Sequence, residues 1–160
     1  LGLRLMRQRC RGFTLLELMV VMVLIGVLLG LVSLVGGSNP AQVARQEASR
    51  IARVIEQFRE RAVLEGREFG VGVSQEGYRV LQLGERGWSP LMALQTWPPE
   101  LQPRLAVEGL PVRLASSAEM PQLLILSSDE ISAFTLQLAS RERVWAGLSS
   151  DGLSEVSLDE

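Results

Sequence analysis

The stretch Arg7–Val32, RQRCRGFTLLELMVVMVLIGVLLGLV, decides how this chain is organised. The apolar run that opens at Phe13 reaches Val35, about 23 residues, or roughly 35 Å as an α-helix, against about 30 Å for a bilayer hydrocarbon core. Lipid offers no partners to backbone N–H and C=O groups, so a helix is the conformer such a run must take. Arg4, Arg7, Arg9 and Arg11 precede it, and no arginine follows until Arg45. The positive-inside rule then puts the N-terminus in the cytoplasm and the rest of the chain across the membrane.

One acid, Glu17, interrupts the run near its cytoplasmic end. Three readings stand. Thr14-Leu15-Leu16-Glu17 fits a capping box, with Phe13 and Leu18 spaced as its hydrophobic staple and the acid complementing the helix dipole. Glu17 can also be a tolerated acid at low insertion cost. The third reading gives it a partner: a cut between Gly12 and Phe13 would free a cationic amine on Phe13, within reach of Glu17 on the same or a neighbouring helix.

Beyond the run, Gly36-Gly37-Ser38-Asn39-Pro40 breaks the helix, and Asn39 and Pro40 suit the N-cap and N1 positions of a new one. From Ala41 to Glu65, the residues Ala44, Ala48, Ile51, Ile55, Phe58 and Ala62 recur at steps of four and three, which predicts an amphipathic helix with one buried face. Arg45, Glu47, Arg50, Arg53, Glu56, Arg59 and Glu60 are expected on its solvated face. Gly66 ends it. Extended runs follow at Phe69–Val73, Tyr78–Leu83, Leu123–Leu126, Phe134–Leu138, Val144–Leu148 and Leu153–Leu158. Hairpin turns are expected at Ser74–Gly77 and Gly84–Gly87. Pro90, Pro98, Pro99, Pro103, Pro111 and Pro121 predict an irregular stretch over residues 88–121, with one strand near Val112–Leu114. The fold class is α+β: a long N-terminal transmembrane and amphipathic helix, then an antiparallel β-sheet head of a β-sandwich-like kind. The domain plan is residues 1–12 as a basic leader, 13–35 as a transmembrane helix, 36–40 as a break, 41–65 as an amphipathic helix packed on the head, and 66–160 as the β-rich head.

Little in the chain points to catalysis. It has 160 residues, formal charge −2 and no histidine, which excludes a histidine-based triad or zinc site. From Phe13 onward twelve arginines face eighteen acids, 12 − 18 = −6, so a nucleic-acid partner is not expected. Cys10, the one cysteine, cannot form an internal disulfide. Gly70-x-Gly72 is a strand with glycines and not a phosphate loop, since no lysine follows. Ser127-Ser128-Asp129-Glu130 and Ser149-Ser150-Asp151-Gly152 resemble each other; their acids are weighed for Ca²⁺, but turn chemistry between strands is the stronger reading. No cofactor and no metal are expected. Trp88, Trp97 and Trp145 are expected in the core or on a partner face.

RGFTLLELMVVMVLIG resembles the N-terminal signature of the type IV pilin family: a basic leader, Gly before the cut, Phe as the first mature residue, Glu at the fifth mature position, then an apolar helix. The arginines, Gly12, Phe13, Glu17 and the run from Leu18 match in turn. The resemblance implies cleavage by prepilin peptidase between Gly12 and Phe13, N-methylation of Phe13, and recruitment of a neighbour through Glu17. The chain begins at Leu1; an initiator at Met6 would leave a leader of Met6 to Gly12, a length that suits the family. A second resemblance lies in PQLLILSSDEISAFTLQLAS (Pro121–Ser140) and LSSDGLSEVSL (Leu148–Leu158), similar to the H-type minor pseudopilins of bacterial type II secretion. It implies a structural subunit, not an enzyme, assembling near the tip of a pseudopilus that helps folded proteins cross the outer membrane. The implied partners are prepilin peptidase, the other minor pseudopilins and the major pseudopilin, the inner-membrane secretion platform and membrane lipid. The implied location is single-pass in the inner membrane with a periplasmic head. The alternative is a minor pilin of a type IV pilus, including the DNA-uptake kind.

Overall fold

A computed structural model describes residues 13–35, 39–141 and 143–159. The leader 1–12, with Gly12, and Gly36 to Ser38 of the expected helix break lie outside the described residues. The chain divides into two compact units between Ser38 and Asn39. The first contains helix α1, Leu15–Val35. Every side chain described from Phe13 to Gly30 is exposed. Leucine, valine, methionine and isoleucine cover all sides of this helix, so it has no polar face to turn to water.

The second unit opens with α2, Pro40–Glu65. The Asn39 side chain accepts a hydrogen bond from the Ala41 N–H at 3.1 Å, and Pro40 fills a position whose N–H needs no helical partner. Gly66 closes the helix in the left-handed region at φ 61°, where a β-carbon is disfavoured, and its N–H returns to the Ala62 carbonyl. The stripe Ala44, Ala48, Ile51, Ile55, Phe58 and Ala62 is buried.

Ten strands follow among the described residues: β1 (Phe69–Val73), β2 (Gly77–Gly84), β3 (Gly87–Pro90), β4 (Gln95–Thr96), β5 (Gln102–Val107), β6 (Leu110–Val112), β7 (Leu123–Ile125), β8 (Phe134–Ala139), β9 (Val144–Ser150) and β10 (Ser157–Asp159). They form two antiparallel sheets. One has the order β3-β2-β1-β7, with β4 also on β2; the other has the order β10-β9-β8-β5-β6. Helix α2 lies mainly on β9 and β10 and also touches β1, β7 and β8, so both sheets and the helix share one core. Phe58 of α2 meets Phe69 of β1 edge-on at 5.2 Å, and Tyr78 of β2 meets Trp97 at the same separation. Trp97 is buried and donates its indole N–H to the Ser74 carbonyl at 2.9 Å. Trp88 and Trp145 are half-buried.

Several expectations are corrected here. Residues 88–121 are not irregular; they contain β4, β5 and β6 and the end of β3. Proline is tolerated because it sits where no ladder donor is needed. β3 and β6 are edge strands and carry Pro90 and Pro111. Pro103 lies in β5 beyond the reach of β6, which pairs only with Leu105–Val107. The β5–β6 hairpin turns at Glu108 and Gly109, both at positive φ (51° and 77°). That is the two-residue turn whose twist suits a hairpin, written with Glu in place of the usual Asn or Asp. The strand expected near Val112–Leu114 is instead Leu110–Val112, and that expected over Leu153–Leu158 shrinks to Ser157–Asp159.

Gly70 and Gly72 of β1 have a packing reason. Residues 118–121 lie against β1, and a β-carbon on Gly70 or Gly72 would meet Pro121 or the Ala118 carbonyl at 2.5 and 2.8 Å. β1 is therefore buried along its whole length.

Candidate assembly site

At the start of α1, Thr14 is the cap. Its Oγ1 accepts from the Glu17 N–H at 3.3 Å, and its carbonyl accepts from the N–H groups of Glu17 and Leu18 at 3.0 and 3.2 Å. This is the threonine half of a capping box. The Glu17 carboxylate is exposed and has no hydrogen bond or ion pair among the described residues. Phe13 is 76% exposed. The Thr14 cap uses only the backbone N–H of residue 17 and leaves the Glu17 carboxylate out of the cap. Gly12 lies outside the described residues.

In the head, two charges expected in solvent are buried: Glu47 (5% exposed) and Arg59 (4%). Both sit at the edge of the apolar stripe, four residues from Ile51 and Ile55 respectively. That position is the signal that could have found them. Arg59 joins α2 to the first Ser-Ser-Asp segment and to the two residues that follow the second. Its Nη1 donates to the Ser154 carbonyl at 2.8 Å and to Glu56 Oε1 at 3.3 Å; its Nη2 donates to the carbonyls of Asp129 (2.8 Å) and Leu153 (3.2 Å). Its Nε lies 3.4 Å from Asp129 Oδ1, an ion pair without hydrogen-bond geometry. Glu56 Oε1 also accepts from the Val156 N–H at 2.9 Å. One planar guanidinium thus satisfies three carbonyls from two loops, a task suited to its fixed fork of donors.

Both Ser-Ser-Asp acids serve turns. Asp129 holds φ 70°, and Asp151 Oδ1 accepts from the N–H groups of Ser154 (2.8 Å) and Leu153 (3.0 Å). The Ser154 and Leu153 N–H bonds, with the Ser154 hydroxyl, lower the Asp151 pKa. These bonds hold residues 151–154 in a turn and explain the short final strand. Among the described residues no three His, Cys, Asp or Glu side chains are grouped to hold a metal.

Glu47 pairs with Arg50 at 3.3 Å, while its Oε1 and the Tyr78 hydroxyl are both buried without a hydrogen bond of good geometry. Burial, then the nearby Glu47 charge, pushes the Tyr78 phenol up to about 12. Below pH 10 the phenol is neutral in the folded and unfolded chain alike, and the folded state keeps its full stability. Between pH 10 and about 12 the unfolded chain gives up a proton that the folded chain retains, so stability falls as pH rises. The chain has one tyrosine and no lysine, which leaves Tyr78 as the side chain titrating in that window. Tyr78→Phe should flatten this alkaline fall and leave stability near pH 7 unchanged or slightly higher, because it removes an unpaired buried hydroxyl. Urea unfolding of residues 39–160 at pH 8 and pH 11 measures both. An equal alkaline loss in the two proteins would contradict the assignment.

The chain matches the prokaryotic N-terminal methylation motif over residues 7–33. It is 41% identical over 157 residues to type II secretion system protein H of Pseudomonas aeruginosa, covering 89% of this chain and 91% of that protein. It is 29% identical to the protein of the same name from Escherichia coli K12, covering 81% of each. Among solved structures it superposes on the minor pseudopilin EpsH from the type II secretion system of Vibrio cholerae with a TM-score of 0.65 at 22% identity, covering 76% of this chain and 98% of that one. Escherichia coli GspH in solution gives 0.61 at 23% identity, covering 74% and 89%. These likenesses show a pilin-like α+β fold.

Proposed function

The chain belongs to the type II secretion system protein H family, and we propose that it is a structural minor pseudopilin that assembles near the tip of the pseudopilus and helps export folded proteins across the outer membrane. The observation that carries the reading is α1, apolar on every side and exposed from Leu15 to Gly30. Each fully buried Leu, Val or Met side chain contributes roughly 1.5–3 kcal/mol, so such a helix is stable only against lipid or other apolar helices. No helix is long and apolar enough to cross a membrane among the described residues. The whole segment Phe13–Val35, about 35 Å as a helix, supports a single pass through the inner membrane, with the N-terminus cytoplasmic and the head periplasmic.

Prepilin peptidase cleaves between Gly12 and Phe13, and Phe13 is then N-methylated. The new N-terminal amine of one subunit pairs with Glu17 of another as the helices leave the bilayer for the fibre core. The partners are the other minor pseudopilins, the major pseudopilin and the inner-membrane platform. A DNA-uptake role as a minor pilin is disfavoured by the net acidity of the chain beyond the leader.

Glu17→Gln separates pairing from capping. The cap seen at Thr14 uses backbone groups of residue 17, and Gln is accepted at that position of a capping box. The variant should insert into the membrane at the wild-type level yet lose at least about tenfold in crosslinking to neighbouring pseudopilins, as expected for loss of a charge pair worth about 1.4 kcal/mol or more. Wild-type crosslinking together with wild-type secretion would leave capping as the whole role of Glu17.

A further inference from the structure

A cleft of about 700 Å³ opens in a fork at one edge of the second sheet. β6 pairs with Leu105–Val107 of β5 and then leaves it. Gln75, in the turn between β1 and β2, draws the chain beyond β6 towards the first sheet. Its N–H donates to the Ala115 carbonyl at 2.9 Å, and its Nε2 donates to the Leu114 carbonyl at 3.1 Å. The gap left beside Pro103 and Arg104 is the cleft. Its lining is apolar at Pro103, Leu105, Pro111, Val112 and Leu114, and Arg104 is its one charged residue. The Arg104 guanidinium is exposed and has no ion pair among the described residues.

Two features set what such a cleft accepts. Pro103 has no N–H, so an incoming strand finds no donor there to extend the ladder, and the contact must be made by side chains. An apolar lining beside one unpaired cation fits an apolar side chain with a carboxylate next to it. The cleft also stands clear of the helix: α2 lies mainly on β9 and β10, at the opposite edge of this sheet.

We propose that the cleft is a docking site for an exposed loop of an exported folded protein, with an apolar residue entering the fork and a neighbouring Asp or Glu pairing with Arg104. Its size favours cargo over a permanent joint between subunits. It has room for a few side chains, far short of the roughly 1,200 Å² that a stable interface buries. The contact is therefore weak and reversible, as release of the cargo requires. The proposal deepens the fibre-subunit reading and rests on it.

The test places a photoreactive p-benzoylphenylalanine at position 102, an exposed residue beside the cleft, or at position 57 on the exposed face of α2 as control, in secreting cells. Adducts from position 102 to proteins that these cells release into the medium should exceed those from position 57 at least fivefold. The attached peptide should carry an Asp or Glu within two residues of the crosslink. Arg104→Glu should cut the yield at least fivefold, and Arg104→Lys should keep most of it. An unchanged thermal transition of the full Arg104→Glu chain in detergent separates loss of docking from loss of fold. Adducts mainly to another pseudopilin would overturn the proposal in favour of a subunit joint. Exported-protein adducts indifferent to Arg104→Glu, or no excess over position 57, would also overturn it. A salt-sensitive complex of the full chain with duplex DNA, abolished by Arg104→Glu and found without adducts, would replace it with a phosphate site. Secretion in a strain lacking the chain reads the fibre-subunit role by itself, so failure of the cleft and failure of that role are distinguishable.

Discussion

With Gly12 replaced by valine, the chain should accumulate at its uncleaved length, with close to none of the mature form. In the proposed scheme the scissile bond follows a residue that the peptidase must accommodate at close quarters, and glycine supplies both the missing β-carbon and a freely turning backbone. Valine adds a branched β-carbon that restricts both. Without cleavage Phe13 keeps its amide, no cationic amine forms, and Glu17 loses its proposed partner. Intact mass measurement on membranes from peptidase-containing cells should find wild-type protein beginning at methyl-Phe13 and the Gly12→Val variant carrying its leader. A wild-type protein that begins at any other residue would end the pilin-type processing scheme.

Arg59→Met should destabilise the head by about 3 kcal/mol or more, the range for removing one partner from a buried charged network. Methionine fills much of the volume but leaves the carbonyls of Ser154, Leu153 and Asp129 without their donor. Arg59→Lys should fall between, since an ammonium offers a charge but not a planar fork that reaches both loops. Urea unfolding of residues 39–160 at pH 7 reads both variants. Hydrogen exchange should locate the early opening in residues 151–159, the segment that Arg59 and Glu56 hold against α2. A loss below about 1 kcal/mol for Arg59→Met, typical of a surface pair, would show that the clasp carries little of the stability.

The features legible in the sequence were those written in periodicity. The stripe from Ala44 to Ala62 identified the buried face of α2, and Asn39-Pro40 and Gly66 marked its ends. The run FGVGV gave β1 in full. What escaped was written in context. β5 was hidden because Pro103 argues against a strand unless its outer edge is free, and only the assembled sheet reveals that β6 stops at Leu105. Glu47 and Arg59 have the same chemistry as the solvated charges beside them. Helical spacing places both at the edge of the apolar stripe, but it does not report what covers them: Arg59 meets loops some 70 to 95 residues away, and Glu47 lies near Tyr78 of β2. The likeness of the two Ser-Ser-Asp segments was visible, but not that Arg59 binds the backbone of Asp129 in the first and of Leu153 and Ser154 just after the second. At the candidate site the Thr14 cap was legible from spacing alone, whereas the proposed pairing of Glu17 involves another subunit and not the fold of this chain.

The central claim is that this chain is a working part of a type II secretion pseudopilus, and fractionation of secreted enzymes tests it most directly. In cells lacking the chain, folded type II exoproteins should collect in the periplasm. Wild-type protein should return them to the medium, and Gly12→Val should not. Undisturbed secretion in the deletion strain, accompanied by loss of surface pili or of DNA uptake, would contradict the account and assign the chain to a type IV pilus.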